Sequence, residues 1–164
     1  MNPAFSRRWL LGLCGAGLLV PLGEARAEAT ERLCVVVGAQ SPLEELSLQY
    51  LTLLFSSRVR TDARGRPLIA LNHPALTTYR VGFDRAVLHM NPAQVADYWI
   101  ERKKRRGAGP PRSVPSMSTL RRVLARLPEA VGYLPRRQLT NQVRVLRIDG
   151  KVPEDAGYPV VFTP

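Results

Sequence analysis

Leu33-Cys34-Val35-Val36-Val37-Gly38 is an unbroken apolar run, rich in β-branched residues, that stops at a glycine. With no polar alternation it reads as a strand covered on both faces, the pattern of strands inside parallel sheets. Downstream, Ser47 predicts an N-cap for a helix over 48–55, with Leu48, Leu51, Leu54 and Phe55 on one face. Residues 61–67 hold Asp62, Gly65 and Pro67 and read as a turn. A short strand over 68–71 is broken by Asn72-His73-Pro74. The next helix is predicted over about 78–89, with Tyr79, Phe83, Val87 and Met90 inward.

Asn91-Pro92-Ala93-Gln94 is a helix start: Asn91 caps, Pro92 takes the first turn and Gln94 reaches back. This helix turns Val95, Tyr98 and Trp99 inward and ends in the basic run 102–106. Residues 107–111 form a stiff linker. Ser116 or Ser118 caps a further helix carrying Leu120, Val123, Leu124 and Leu127, and Pro128 ends it. Strands follow over 130–134 and 143–148. Strands alternating with amphipathic helices predict a three-layer α/β domain.

The chain has 164 residues, 24 Lys plus Arg, 13 Asp plus Glu, 2 Cys and 2 His. That length holds one modest domain. A 45% hydrophobic share is too high for a disordered chain. Two His and two Cys argue against a zinc module, and nothing in the sequence calls for a metal or cofactor. The net charge of +11 points to anionic partners.

Residues 1–27 read as a signal peptide. Arg7 and Arg8 precede the short apolar stretch 9–22, and Ala25-Arg26-Ala27 offers small residues for cleavage. Ser6-Arg7-Arg8-Trp9-Leu10-Leu11 also fits a twin-arginine signal, and both export routes stay open. Cleavage near Ala27 would leave residues 28–164 as a single domain, with a net charge of +9 once three cations and one acid are removed. Cys34 would then be the one remaining cysteine, a buried small hydrophobe.

Catalytic constellations do not emerge. There is no Gly-x-Ser-x-Gly elbow, no phosphate-loop motif, no dinucleotide fingerprint and no evident carboxylate pair. His73 and His89 are the two candidate bases, and both read better as surface or cap residues. The chain therefore reads as a binding protein, not an enzyme. The segment Leu76-Thr77-Thr78-Tyr79-Arg80 puts two hydroxyls at a predicted helix start, where free N–H groups and the positive dipole end gather. Arg80 could add a guanidinium fork for an oxyanion. The competing reading is a plain threonine cap beside a solvated Arg80. The run Arg102-Lys103-Lys104-Arg105-Arg106 lacks interleaved aromatics, which argues against nucleic acid as the partner. It reads as a solvated helix end, or as a docking patch for an acidic protein or an anionic envelope surface that Arg121, Arg122, Arg126, Arg136 and Arg137 could widen.

In order, these segments resemble the substrate-binding proteins of phosphate ABC transporters, in a short form matching the later part of that fold. The likeness starts at Val35-Val36-Val37-Gly38-Ala39-Gln40-Ser41-Pro42 and continues through the helix Leu46 to Phe55. Leu68 to Phe83 follows the family's order of strand, hydroxyl-rich turn with Arg, and helix with Phe. Trp99, Gly107 and Ala130-Val131-Gly132-Tyr133 match its later stretches. The resemblance implies a periplasmic-binding-protein-like lobe with a mixed, mostly parallel sheet. It also implies an exported, periplasmic binder of phosphate or a similar oxyanion. Thr77, Thr78 and Arg80 match the family's Ser-Gly-Thr-x-Arg type segment, without its glycine, and Ser41 is the hydroxyl at the end of the first strand. The implied partners are phosphate and an ABC transporter membrane component or another envelope protein. Because the family's first lobe has no counterpart here, a second reading stands beside it: a binding-protein-like module that has lost its ligand and serves as an envelope interaction partner.

Overall fold

Residues 31–38 form the first strand, and all of Leu33–Gly38 is buried. The computed structural model describes residues 30–107 and 109–163. The export segment read over 1–27 lies outside the described residues. In chain order the elements begin with β1 (Glu31–Gly38), β2 (Glu45–Leu46), α1 (Leu48–Phe55), β3 (Ile69–Asn72) and α2 (Thr78–Phe83). A π-helical turn, Asp84–Leu88, extends α2, and α3 (Pro92–Arg106), β4 (Arg112–Ser113) and α4 (Met117–Arg126) follow. The chain continues through β5 (Ala130–Pro135), a 3₁₀ turn (Arg136–Gln138), β6 (Val143–Val145), β7 (Arg147–Ile148) and β8 (Val161–Phe162).

The main sheet runs in the order β4-β3-β5-β1-β6, with β8 also on β1. β3 is parallel to β4 and to β5. β1 is antiparallel to β5, β6 and β8. The sheet is therefore mixed and mostly parallel, since every strand but β1 points the same way. The apolar run that suggested a parallel-type strand is the one that runs against the rest. Unbroken burial reports that both faces are covered; it carries no information on direction.

The two faces of β1 separate by the period of two. Leu33, Val35 and Val37 pack with Leu51, Leu54, Phe55, Phe83 and Val87 from α1, α2 and the π-helical turn. Cys34 and Val36 pack with Leu120 and Leu124 of α4 on the other side. Helices on both faces make the three layers. Burial pushes the Cys34 thiol up to about 11, so it is protonated at neutral pH and acts as a small hydrophobe. Ser47 caps α1, and Asn91 and Gln94 form a reciprocal capping box on α3. Helix 78–89 departs from its expected form: α2 ends at Phe83, and the π-helical turn closes on His89 in the left-handed region. The strand expected over 143–148 splits into β6 and β7, with Leu146 buried between them.

Close approach explains Gly38. A Cβ there would stand 2.1 Å from the Leu124 carbonyl oxygen and 2.9 Å from its carbon. Gly38→Ala should push α4 off the sheet and cost about 1–3 kcal/mol in urea unfolding. An unchanged midpoint would show that α4 does not rest on this end of β1.

Candidate anion-binding site

Because β4, β3 and β5 are parallel neighbours, the segments that follow them all leave from one end of the sheet. After β3 the chain turns through His73 and Pro74, passes Leu76 in the left-handed region (φ 65°) and enters α2 at Thr77. After β4, Ser116 caps α4, its hydroxyl oxygen accepting from the Thr119 N–H at 3.1 Å. After β5 comes the 3₁₀ turn with Arg136 and Arg137. Between the first two exits lies an open groove of about 430 Å³, lined by His73, Thr77, Thr78, Tyr79, Ser116 and Met117 among others. Two helix starts with unpaired N–H groups thus border one groove, at the carboxyl ends of parallel strands where α/β sheets bind ligands.

The Thr77 hydroxyl donates to the Pro74 carbonyl at 2.9 Å and so closes the turn, not the helix cap. Thr78 is exposed. Arg80 is neither solvated nor open beside the threonines. It is buried, its Nε donates to Asp84 Oδ2 at 2.6 Å, and a terminal nitrogen donates to the His73 carbonyl at 3.4 Å. It lines a separate cavity of about 50 Å³ with Leu76, Asp84 and Val95. Burial pushes the Asp84 carboxyl up, and Arg80 offsets part of that rise.

Ser41 lies at the opposite end of the sheet. Its hydroxyl donates to the Pro128 carbonyl, just before β5 begins, and its oxygen accepts from the Leu43 N–H at 3.4 Å. The cause is the reversed direction of β1, which delivers Ser41 where β5 starts. Thr77, Thr78 and Ser41 therefore do not form one site.

His73, expected at the surface, is buried against Tyr133. Its Nε2 lies 2.9 Å from the Tyr133 carbonyl, which can only accept, so Nε2 carries the proton. The Tyr133 hydroxyl donates in turn to Asn72 Oδ1. Burial lowers the His73 pKa, with Arg80 adding to the shift. Its folded pKa is depressed, so the unfolded chain takes up this proton first as pH falls below about 6.5. His73 therefore lowers stability on acidification from pH 7 toward 5, opposed by Asp84, whose raised carboxyl takes up its proton first in the folded chain, and His73→Gln should remove the His73 part of the slope in thermal melts. A slope identical in both proteins would show that His73 does not govern it.

Arg137 is not part of the groove lining but reaches it through Tyr79, one of the lining residues. It is exposed, reaches Glu31 Oε1 at 2.6 Å and donates to the Tyr79 hydroxyl, its guanidinium 5.6 Å from the Tyr79 ring centre. In sequence, Arg137 looked like an extension of the 102–106 run. Its position directly after a strand was the signal that it belongs to the carboxyl edge. Ser116 was legible as a cap, but its meeting with Thr77 depends on the parallel pairing of β4 with β3. Among the described residues, no group of metal-ligating side chains occurs and no helix is long and apolar enough to cross a membrane.

No family model matches the sequence, and neither does any curated protein. Solved structures do match. An ABC-type phosphate transport receptor from Vibrio cholerae aligns over 82% of this chain and 55% of its own, at 14% identity and a TM-score of 0.66. A phosphate ABC transporter substrate-binding protein from Clostridium perfringens, crystallised with bound phosphate, aligns over 82% and 54%, at 12% identity and a TM-score of 0.65. PstS from Borrelia burgdorferi aligns over 82% and 56%, at 11% identity and a TM-score of 0.62. The fold of this chain is that of phosphate ABC transporter substrate-binding proteins, over about half of their length.

Proposed function

We propose that this chain is an exported binding protein for phosphate or a similar oxyanion, acting in the periplasm with an ABC transporter membrane component. The observation that carries the reading is the groove where the starts of α2 and α4 converge. Thr78 offers an exposed hydroxyl, the first N–H groups of both helices offer donors, and Arg137, held at the groove's edge by Tyr79, supplies the counter-charge by exchanging Glu31 for the anion. Thr77 closes the turn that presents them, and Arg80 locks that turn from beneath through the His73 carbonyl. The fold it shares with proteins named for phosphate supports this reading.

Titration calorimetry against phosphate and sulfate tests it. Phosphate is expected to give saturable heat, weaker than in a closed two-sided site. Arg137→Ala should lower affinity by about ten- to a hundredfold, the loss of one charge-assisted contact. The same change should leave the fold intact, because Arg137 is exposed.

One observation favours a second reading, a ligand-free interaction module of the envelope. Arg80, the cation nearest in sequence to the threonines, is spent on Asp84. Absence of any heat or melting shift at millimolar phosphate would leave that reading standing.

A further inference from the structure

Segments far apart in sequence meet at the end of α3. The Tyr98 hydroxyl donates to the Ser56 carbonyl at 2.9 Å, and Arg102 donates to the Ser57 carbonyl at 2.6 Å. The Ser57 hydroxyl donates to the Gly109 carbonyl at 3.1 Å. These bonds hold Ser56 and Ser57 against Tyr98, Arg102 and Gly109 and gather Arg58, Arg60, Lys103, Lys104, Arg105 and Arg112, all exposed, on one edge of the molecule. Lys104 and Arg105 share a single acid, Glu101. Arg58, Arg60, Lys103 and Arg112 form no ion pair with any described residue.

The edge is not purely polar. Arg60 and Arg112 line a groove of about 220 Å³ together with Val59, Leu68, Ile69 and Pro110. Ile100, about half exposed, stands one turn before Lys103 and Lys104 on α3. Unpaired cations over apolar lining fit an anionic amphiphile, with headgroup phosphates at the guanidinium groups and hydrocarbon against the apolar residues. An acidic peptide would satisfy the charges and leave the apolar lining unmatched.

We infer that this edge docks on an anionic phospholipid surface. The inference is independent of phosphate binding at the α2–α4 groove. The test is co-sedimentation of the full chain with phosphatidylcholine vesicles, with and without phosphatidylglycerol. The comparison is a variant carrying Arg58→Gln, Arg60→Gln, Lys103→Gln and Arg112→Gln. These side chains are exposed and unpaired, Arg102 stays in place, and circular dichroism checks that the variant folds. Both proteins carry the same residues 1–29, so any pull from that segment cancels. Each cation near an anionic surface is worth about a fivefold change in partition, so the variant should lose at least about a hundredfold on phosphatidylglycerol vesicles. The wild-type partition should also fall steeply with salt. Equal partition of the two proteins, or equal wild-type partition with and without phosphatidylglycerol, overturns the inference. So does capture on polyglutamate with none on the vesicles, which would assign the edge to an acidic polypeptide.

Discussion

Arg80→Ala is expected to lower the unfolding free energy by about 3–5 kcal/mol, because it leaves a buried carboxylate without its partner. Asp84 is 5% exposed, and its Oδ1 already has no hydrogen-bond partner. With Arg80 gone, its Oδ2 loses the 2.6 Å bond as well. Asp84 must then take up a proton or draw water inward, and the His73 carbonyl loses the guanidinium that fixes the turn before Thr77. Arg80→Met combined with Asp84→Leu should restore most of the stability, since a well-packed apolar pair removes the stranded charge. Urea unfolding of the three proteins checks this. If Arg80→Ala unfolds at the wild-type midpoint, the ion pair does not hold α2. The same argument makes Arg80 a poor probe of ligand binding, because any loss of affinity would be mixed with loss of structure; Arg137→Ala avoids that mixture.

Phe83→Ala should cost a similar amount, about 3–5 kcal/mol. Phe83 is fully buried where α2 passes into the π-helical turn. Its ring stacks on Tyr133 with centres 3.8 Å apart and planes 4° from parallel, and lies 4.6 Å from Phe55. One side chain thus joins α2, α1 and β5. Truncation would open a cavity among rings that cannot collapse freely, and would unseat the helix whose start borders the groove. Phe83→Leu refills part of the volume and should cost less than half as much. Thermal and urea unfolding would show the order; equal costs for the two changes would mean that the ring stack contributes little.

Much of this architecture was legible in the residues. Caps at Ser47 and Asn91 placed α1 and α3, because a cap is a local device written in three or four neighbours. The β1 run showed its burial but hid its direction, and direction decided the site. With β1 reversed, Ser41 lies at the far end of the sheet, while the parallel β3, β4 and β5 bring Ser116 to the groove of Thr77 and Thr78 and Arg137 to Tyr79. The Arg80–Asp84 pair was within reach of sequence reasoning, since i,i+4 spacing on a helix puts opposite charges side by side. What the spacing did not show is that this face of the helix points inward. His73 was hidden for a related reason: the preference of histidine for half-wet positions is weak, and its place under Tyr133 is set by strand pairing. The two-residue strands β4 and β8 carry too little pattern to read, although β4 positions α4.

The most direct test of the central claim is an amide-resolved NMR titration of the wild-type protein with phosphate. Binding at the groove predicts saturable shifts concentrated at the amides of Thr78, Tyr79, Met117 and Ser118, with little change around Ser41 and Leu43. Titrating shifts confined to the Ser41 end, or no saturable shifts at all up to millimolar phosphate, would contradict an anion site at the carboxyl ends of β3 and β4.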